Sequence, residues 1–354
     1  MLQRIAENPI IKPSDLLPLH ADFKILGVFN PAAFIFEKKI FLLLRVAEQP
    51  IAVDGKCRIP FIDNSSGEAK MSFFELNSRD KDLDLSDVRK YRWKGQDYLS
   101  SLSHFRLAMS DDGIHFKTAN EPWLLPNGEN ENFGIEDARV TQIDESFYIN
   151  FTAVSDDGYV TSLVKTNDFK TLSRLGIIFH PLNKDVAIFP EKINGLFYAL
   201  HRPETMPFAK PAIWISSSPD LIHWGDYHVL LRPGKNQWNV LKIGGGPPPI
   251  KTSAGWLVIY HGVAPHPVDS SEVYSLSAML LDINNPLKII ADLSPILIPE
   301  TDYEKNAFVK NVVFSNGAII HPQTQELMVY YGAGDESIGV AKTDLNSILA
   351  SMLK

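Results

Sequence analysis

The sequence predicts an all-β chain, organised as a five-bladed β-propeller with a short C-terminal helix. Two patterns carry that expectation. Short runs of alternating apolar and polar residues recur throughout, such as Lys39-Ile-Phe-Leu-Leu-Leu-Arg45, Ser146-Phe-Tyr-Ile-Asn-Phe-Thr152 and Gly255-Trp-Leu-Val-Ile-Tyr260, while helical periodicity is nearly absent before the last residues. A turn-like element also returns at 110–116, 166–170, 218–224, 282–286 and 342–345, spaced about 50 to 65 residues apart. Each interval has room for four strands, the size of one blade, so residues 1–354 are read as a single domain around a central channel.

Taken in order, the first blade carries Phe29-Asn30-Pro31-Ala32 and Arg45-Val-Ala-Glu48, and is interrupted from about 53 to 98 by a long insertion. That insertion includes the charged run Asn77-Ser-Arg-Asp-Lys-Asp-Leu-Asp-Leu-Ser-Asp-Val-Arg-Lys90, and insertions of this size often form lids or subunit contacts. Ser110-Asp-Asp-Gly-Ile-His-Phe116 resembles the Asp-box turns of sialidase propellers, in which Asp, Gly and an aromatic brace a hairpin away from the substrate. The second blade opens with Gly134-Ile-Glu136-Asp137-Ala-Arg139, placed where a strand leaves a rim. The tail from Asp344 to Lys354 begins with a capping-type residue and has the apolar spacing of a short helix docked on the barrel.

Composition excludes several function classes. A single cysteine, Cys57, rules out a disulfide framework and a cysteine-based zinc site and fits a reducing compartment, so a cytoplasmic location is expected. The N-terminus lacks a signal pattern, and no apolar run approaches the roughly 18 residues of a membrane span. A net charge of -8 without a basic block argues against nucleic acid or an anionic membrane as partner. The ten histidines are scattered without a ligand spacing, so neither a metal nor any other cofactor is expected.

The chemistry-bearing residues sit at predicted strand ends. Neighbouring like charges raise one another's pKa while an adjacent Arg lowers it, so Glu136 and Asp137 beside Arg139 can be split into one ionised and one protonated carboxyl. The third blade offers Asn183-Lys184-Asp185 and His201-Arg202-Pro203; the fourth Lys242-Ile-Gly-Gly-Gly-Pro-Pro-Pro249 and Tyr260-His261-Gly262; the fifth Asn311-Val-Val-Phe314 and Tyr330-Tyr-Gly-Ala-Gly-Asp335. Singly, each has a bland alternative, since a lone Lys is more often a solvated charge and a lone strand His a satisfied one. Together, cationic and imidazole groups at the strand ends of an acidic chain point to an oxyanion pocket, and the carboxylates and aromatics suit a sugar.

Glu136-Asp-Ala-Arg139, Phe189-Pro-Glu-Lys192, Leu200-His-Arg-Pro203, Ser218-Pro-Asp-Leu-Ile-His-Trp224, Gly246-Pro-Pro-Pro-Ile250, Tyr260-His-Gly262, Asn311-Val-Val-Phe314 and Tyr330-Tyr-Gly-Ala-Gly-Asp335 occur in the order seen in glycoside hydrolase family 130. The resemblance runs from about Asn30 to Val340, and within the family the chain is most similar to phosphorylases acting on β-1,2-mannobiose. It implies an inverting phosphorylase that reversibly converts β-1,2-linked mannobiose or mannooligosaccharide plus inorganic phosphate into α-mannose 1-phosphate. It makes Asp137 the general acid, acting through the 3-hydroxyl of the bound mannose. It puts Arg45, Arg202, Lys242 and His261 around phosphate, with Lys184 near a position where some relatives have Arg. Asn30, Glu136, Tyr274, Phe314 and Asp335 fall at substrate-binding positions. Ala138 replaces the Pro common in the family's turn. Oligomers are common among such proteins, so a homo-oligomer, a dimer by default, is expected.

Hydrolysis remains the alternative. An inverting hydrolase needs a second carboxylate as base, because water must lose a proton during attack, whereas anionic phosphate needs only a cationic cradle. His261, Arg202 and Lys242 are all present, which favours phosphorolysis over an exo-acting β-1,2-mannosidase, for which Glu136 or another rim carboxylate is the candidate base. A non-catalytic mannoside-binding propeller is the third possibility, and the intact Asp137 argues against it.

Overall fold

The computed structural model describes residues 1–65, 67–234 and 238–354; Ser66, inside the stretch expected as an insertion, and residues 235–237 lie outside the described residues. The fold is all-β, but the expected five-bladed β-propeller is not what forms. The described strands fall into seven separate sheets, and no sheet closes or curls into a propeller. The reason is that recurring turns count sheets: each turn governs a local hairpin, whereas closure is a long-range arrangement that the spacing of turns does not encode.

All seven sheets are antiparallel, and the five larger ones share one connectivity, in which strands follow one another across the sheet from an opening strand at one edge. The first opens with Phe23–Phe36, continues through Lys39–Pro50 and Leu102–Ser110 and ends at Lys117–Thr118. The second runs from Ile135–Ile143 to Ser173–Phe179, and the third from Asn183–Ile188 to Gly225–Leu231. The fourth opens with Lys242–Gly245, and the fifth with Val313–Ile320, finishing with Gln3–Arg4 paired to Ser337–Asp344. Burial follows this order. Gly255–Pro265, covered on both faces, is almost wholly buried and reads as a continuous apolar run, while the edge strand Gly225–Leu231 is largely exposed.

The recurring turns have a mechanical role. Ser110 Oγ accepts from Gly113 N, and Asp112 Oδ1 from the backbone of Ile114 and His115. Thr166 with Asp168, and Ser218 with Asp220, repeat the same bracing. At the last mark Asp344 instead caps the C-terminal helix Leu345–Met352, accepting from Ser347 N at 2.8 Å. That helix buries Ile348, Leu349 and Met352 in an apolar cluster with Leu257, Leu276 and Val329.

The segment between Pro50 and Leu102 builds the two small sheets. Lys56–Asp63 pairs with Lys70–Asn77, and Leu83–Asp84, Lys90–Trp93 and Gln96–Leu99 form a three-stranded sheet. No helix among the described residues is long and apolar enough to cross a membrane.

Candidate active site

Four of the five opening strands share one irregularity. Phe29 to Ala32, Glu136 to Arg139, Lys184 to Ala187 and Phe314 to Gly317 each carry one more residue than the partner strand opposite. Such bulges bend a strand and re-aim a side chain. At three of them the residue turned out of line is an Asn or Asp with positive φ: Asn30 at 47°, Asp137 at 52° and Asp185 at 55°. These types tolerate that conformation better than most. The strands bearing the bulges pack against one another, Phe23–Phe36 meeting Ile135–Ile143 and Val313–Ile320, and Ile135–Ile143 meeting Asn183–Ile188. The re-aimed side chains therefore share one cavity of about 560 Å³. Glu136 and Asp137, expected at a strand end, lie within the strand Ile135–Ile143.

One wall of the cavity is acidic. Asp137 Oδ1 accepts from Asn30 Nδ2 at 3.0 Å and from Arg45 Nη1 at 2.9 Å, while Arg45 Nη2 donates to Glu136 Oε1 at 2.7 Å. Arg45 is itself held by Ser103 Oγ at 3.0 Å and lies 4.6 Å over the Phe29 ring. Burial opposes ionisation of Asp137, but Arg45 and Arg139 outweigh it and keep the carboxyl below its usual range. Expected on the phosphate, Arg45 instead bridges the two carboxylates.

Two cations and an imidazole, Arg202, Lys184 and His261, line the same cavity. Lys184 Nζ lies 4.7 Å over the Tyr159 ring, and burial together with Arg202 lowers its pKa. Burial also drives the His261 pKa down to about 3, leaving the imidazole neutral near pH 7. Lys242 is not among the lining residues; its Nζ donates to Glu272 at 3.1 Å and sits 5.1 Å from the Tyr274 ring, which does line the cavity.

The residues expected to contact sugar are also there. Asn30, Glu136, Tyr274, Phe314 and Asp335 line the cavity, with the His261 and Phe314 ring centroids 4.7 Å apart. Burial raises the Asp335 pKa to about 6, Arg45 opposing the shift and Asp137 adding to it.

Other contributors were given no role by the sequence. Asp185, buried between the cations, pairs with Arg202 Nε at 2.5 Å and Arg139 Nη2 at 3.5 Å. Asp87, Arg89, Lys90 and Asp97 reach the cavity from the three-stranded sheet. Asp185 stood in the quoted tripeptide Asn183-Lys184-Asp185, but an acidic side chain in an expected oxyanion pocket gave no signal of its use.

The model of glycoside hydrolase family 130, described as beta-1,4-mannooligosaccharide phosphorylase, matches residues 87–354. The chain belongs to glycoside hydrolase family 130. A beta-1,2-mannobiose phosphorylase of Listeria innocua serovar 6a is 43% identical, over 98% of this chain and 97% of that protein. A 1,2-beta-oligomannan phosphorylase of Thermoanaerobacter sp. is 39% identical, over 71% of this chain and 81% of its own length. The solved structure of the Listeria innocua beta-1,2-mannobiose phosphorylase with beta-1,2-mannobiose superposes with a TM-score of 0.91 at 41% identity, covering 99% of both chains. Within family 130, the chain is thus similar from end to end to a β-1,2-mannobiose phosphorylase.

Proposed function

We propose that this family 130 enzyme is a β-1,2-mannobiose phosphorylase, which with inorganic phosphate reversibly converts β-1,2-linked mannobiose and short mannooligosaccharides into α-mannose 1-phosphate and the shortened sugar. The observation that carries this function is one cavity lined by Asp137 together with Arg202, Lys184 and His261. Phosphate takes its place against the cations, in line with the anomeric carbon, and the leaving sugar is protonated from the Asp137 side. Cations fixed before the reaction stabilise the charge that is rearranged in an oxocarbenium-like transition state.

Asp137 must carry a proton to act as an acid, yet in the free enzyme Arg45 and Asn30 hold it as a carboxylate. Phosphate resolves this. An anion bound in the same cavity raises the Asp137 pKa, and the sugar hydroxyl gives it a new hydrogen-bond partner. Asp137 is the general acid; Arg202, Lys184 and His261 receive phosphate, and Lys242 supports that end through Tyr274. Asn30, Glu136, Tyr274, Phe314 and Asp335 hold the sugar. Cys57, a free and buried thiol, fits a cytoplasmic enzyme.

The deciding experiment incubates purified enzyme with β-1,2-mannobiose, with and without inorganic phosphate, and follows mannose 1-phosphate and free mannose. Mannose 1-phosphate formed only with phosphate is the expected result. Equal release of mannose in both reactions would make the enzyme a hydrolase.

A further inference from the structure

A carboxylate in the middle of an anion-binding set works against anion affinity, so Asp185 needs an explanation. It is 2% exposed, and its backbone is held at a φ of 55° by the bulge in Asn183–Ile188. Oδ2 lies 2.5 Å from Arg202 Nε and 3.7 Å from His261 Nε2, and Oδ1 lies 3.5 Å from Arg139 Nη2. Burial works against its charge, but the neighbouring guanidinium groups of Arg202 and Arg139, with Lys184, keep it ionised. Space is reserved for it: a Cβ at Gly244 would collide with both Asp185 Oδ2 and the His261 ring.

The contacts run onward from both guanidinium groups. Arg202 spends Nε on Asp185, and its terminal nitrogens make no hydrogen bond among the described residues, although the side chain lines the cavity. Arg139, 1% exposed, donates to the carbonyl of Asp137 at 3.0 Å and to those of Gly245 and Gly246. One carboxylate therefore connects the cation facing the cavity to the backbone of the acid. A buried guanidinium without such a partner would bear an uncompensated charge, and Arg202 would lose the contact that fixes its plane.

We propose that Asp185 is a positioning residue of the phosphorolytic reaction, whose carboxylate orients Arg202 to receive phosphate and, through Arg139, keeps that seat in register with Asp137. The proposal rests on the phosphorylase function, deepens it, and predicts an effect on phosphate rather than on sugar.

Asp185→Asn keeps the shape and tolerates the positive φ, so it removes charge with little else. Inorganic phosphate titrated calorimetrically into the enzyme should bind about tenfold or more weakly, and the KM for phosphate should rise in parallel. The KM for β-1,2-mannobiose should stay within about threefold, although the melting temperature falls because two buried guanidinium groups lose their counter-charge. Gly244→Ala, which leaves the carboxylate present but displaces it together with the His261 ring, should likewise weaken phosphate more than sugar. Combined with Arg202→Lys, the Asp185→Asn change should add little further loss, since both break one contact.

Phosphate affinity equal to or tighter than wild type in both single variants would overturn the proposal. So would equal damage to both KM values, full additivity in the double variant, or a wild-type enzyme that binds no phosphate. Wild-type enzyme that binds phosphate but forms no mannose 1-phosphate would refute the phosphorylase function instead, and the calorimetric comparison would still decide the role of Asp185.

Discussion

Asp137 and Asp335 share the cavity, yet their surroundings push them in opposite directions. Asp137 is held as a carboxylate by Arg45 and Asn30, and receives its proton only when ligands change the local charge. Asp137→Asn should lower kcat by about 10³-fold in phosphorolysis and in synthesis alike, as steady-state assays in both directions will read; wild-type turnover in that variant would remove Asp137 from the acid role. Asp335 is the reverse case, its pKa raised from 3.8 to about 6 chiefly by burial, with Arg45 and Arg89 opposing and Asp137 and Glu136 adding. The folded protein thus holds this proton more tightly than the unfolded chain. Asp335 favours folding most below pH 4, and that advantage disappears as pH rises through 6. Asp335→Asn cannot ionise, so thermal scans should show it gaining on wild type between pH 4 and 7, by on the order of 1–3 kcal/mol, and matching it near pH 4. A difference independent of pH would show that Asp335 does not titrate in this window.

At the scale of elements, the site depends on bulges, and these were the least legible part of the sequence. The motifs themselves were readable: Glu136-Asp137, Lys184, Arg202, His261 and Asp335 all line one cavity. Their setting was not, because a bulge is a mismatch between two strands and cannot be seen in either one alone. Asn30-Pro31 held a usable signal, since proline within a strand marks a bulge or an edge. The turns at Asp112, Asp168 and Asp220 were legible because each is satisfied within a few residues. The bulge at Asn30 also needs room in the neighbouring sheet, which Gly332 provides: a Cβ there would collide with Asn30 Oδ1 and lie 2.7 Å from Asn30 N. Gly332→Ala should therefore displace Asn30 and cost Asp137 a donor. We expect kcat to fall about tenfold and stability by about 1–3 kcal/mol, measured by kinetics and denaturant unfolding. Full activity would mean that Asn30 does not set the state of Asp137.

On the scale of the whole molecule, repeated turns gave the number of large sheets without their arrangement, and long-range contacts decide what the cavity admits. Lys39–Pro50 and Leu102–Ser110 pair directly, with Glu48 opposite Leu102 at the end of the ladder. The two small sheets are thus a long excursion between adjacent strands, and the ladder does not need them. They touch the body through the Phe23 and Phe73 rings 5.9 Å apart, Tyr98 against Phe133 at 5.7 Å and the Ile62 N to Asn132 O hydrogen bond at 2.9 Å, among other contacts. What they do supply is part of the cavity wall, through Asp87, Arg89, Lys90, Asp97 and Leu99. Replacing residues 52–100 with a short turn should therefore leave a single cooperative thermal transition and intact phosphate binding. The kcat/KM for β-1,2-mannobiose should fall about tenfold or more, because polar groups placed for the leaving sugar are gone. Loss of cooperative unfolding would make the excursion part of the folding core; unchanged kcat/KM would assign sugar selection to the rest of the cavity, whose lining includes the aromatic rings of Tyr274 and Phe314.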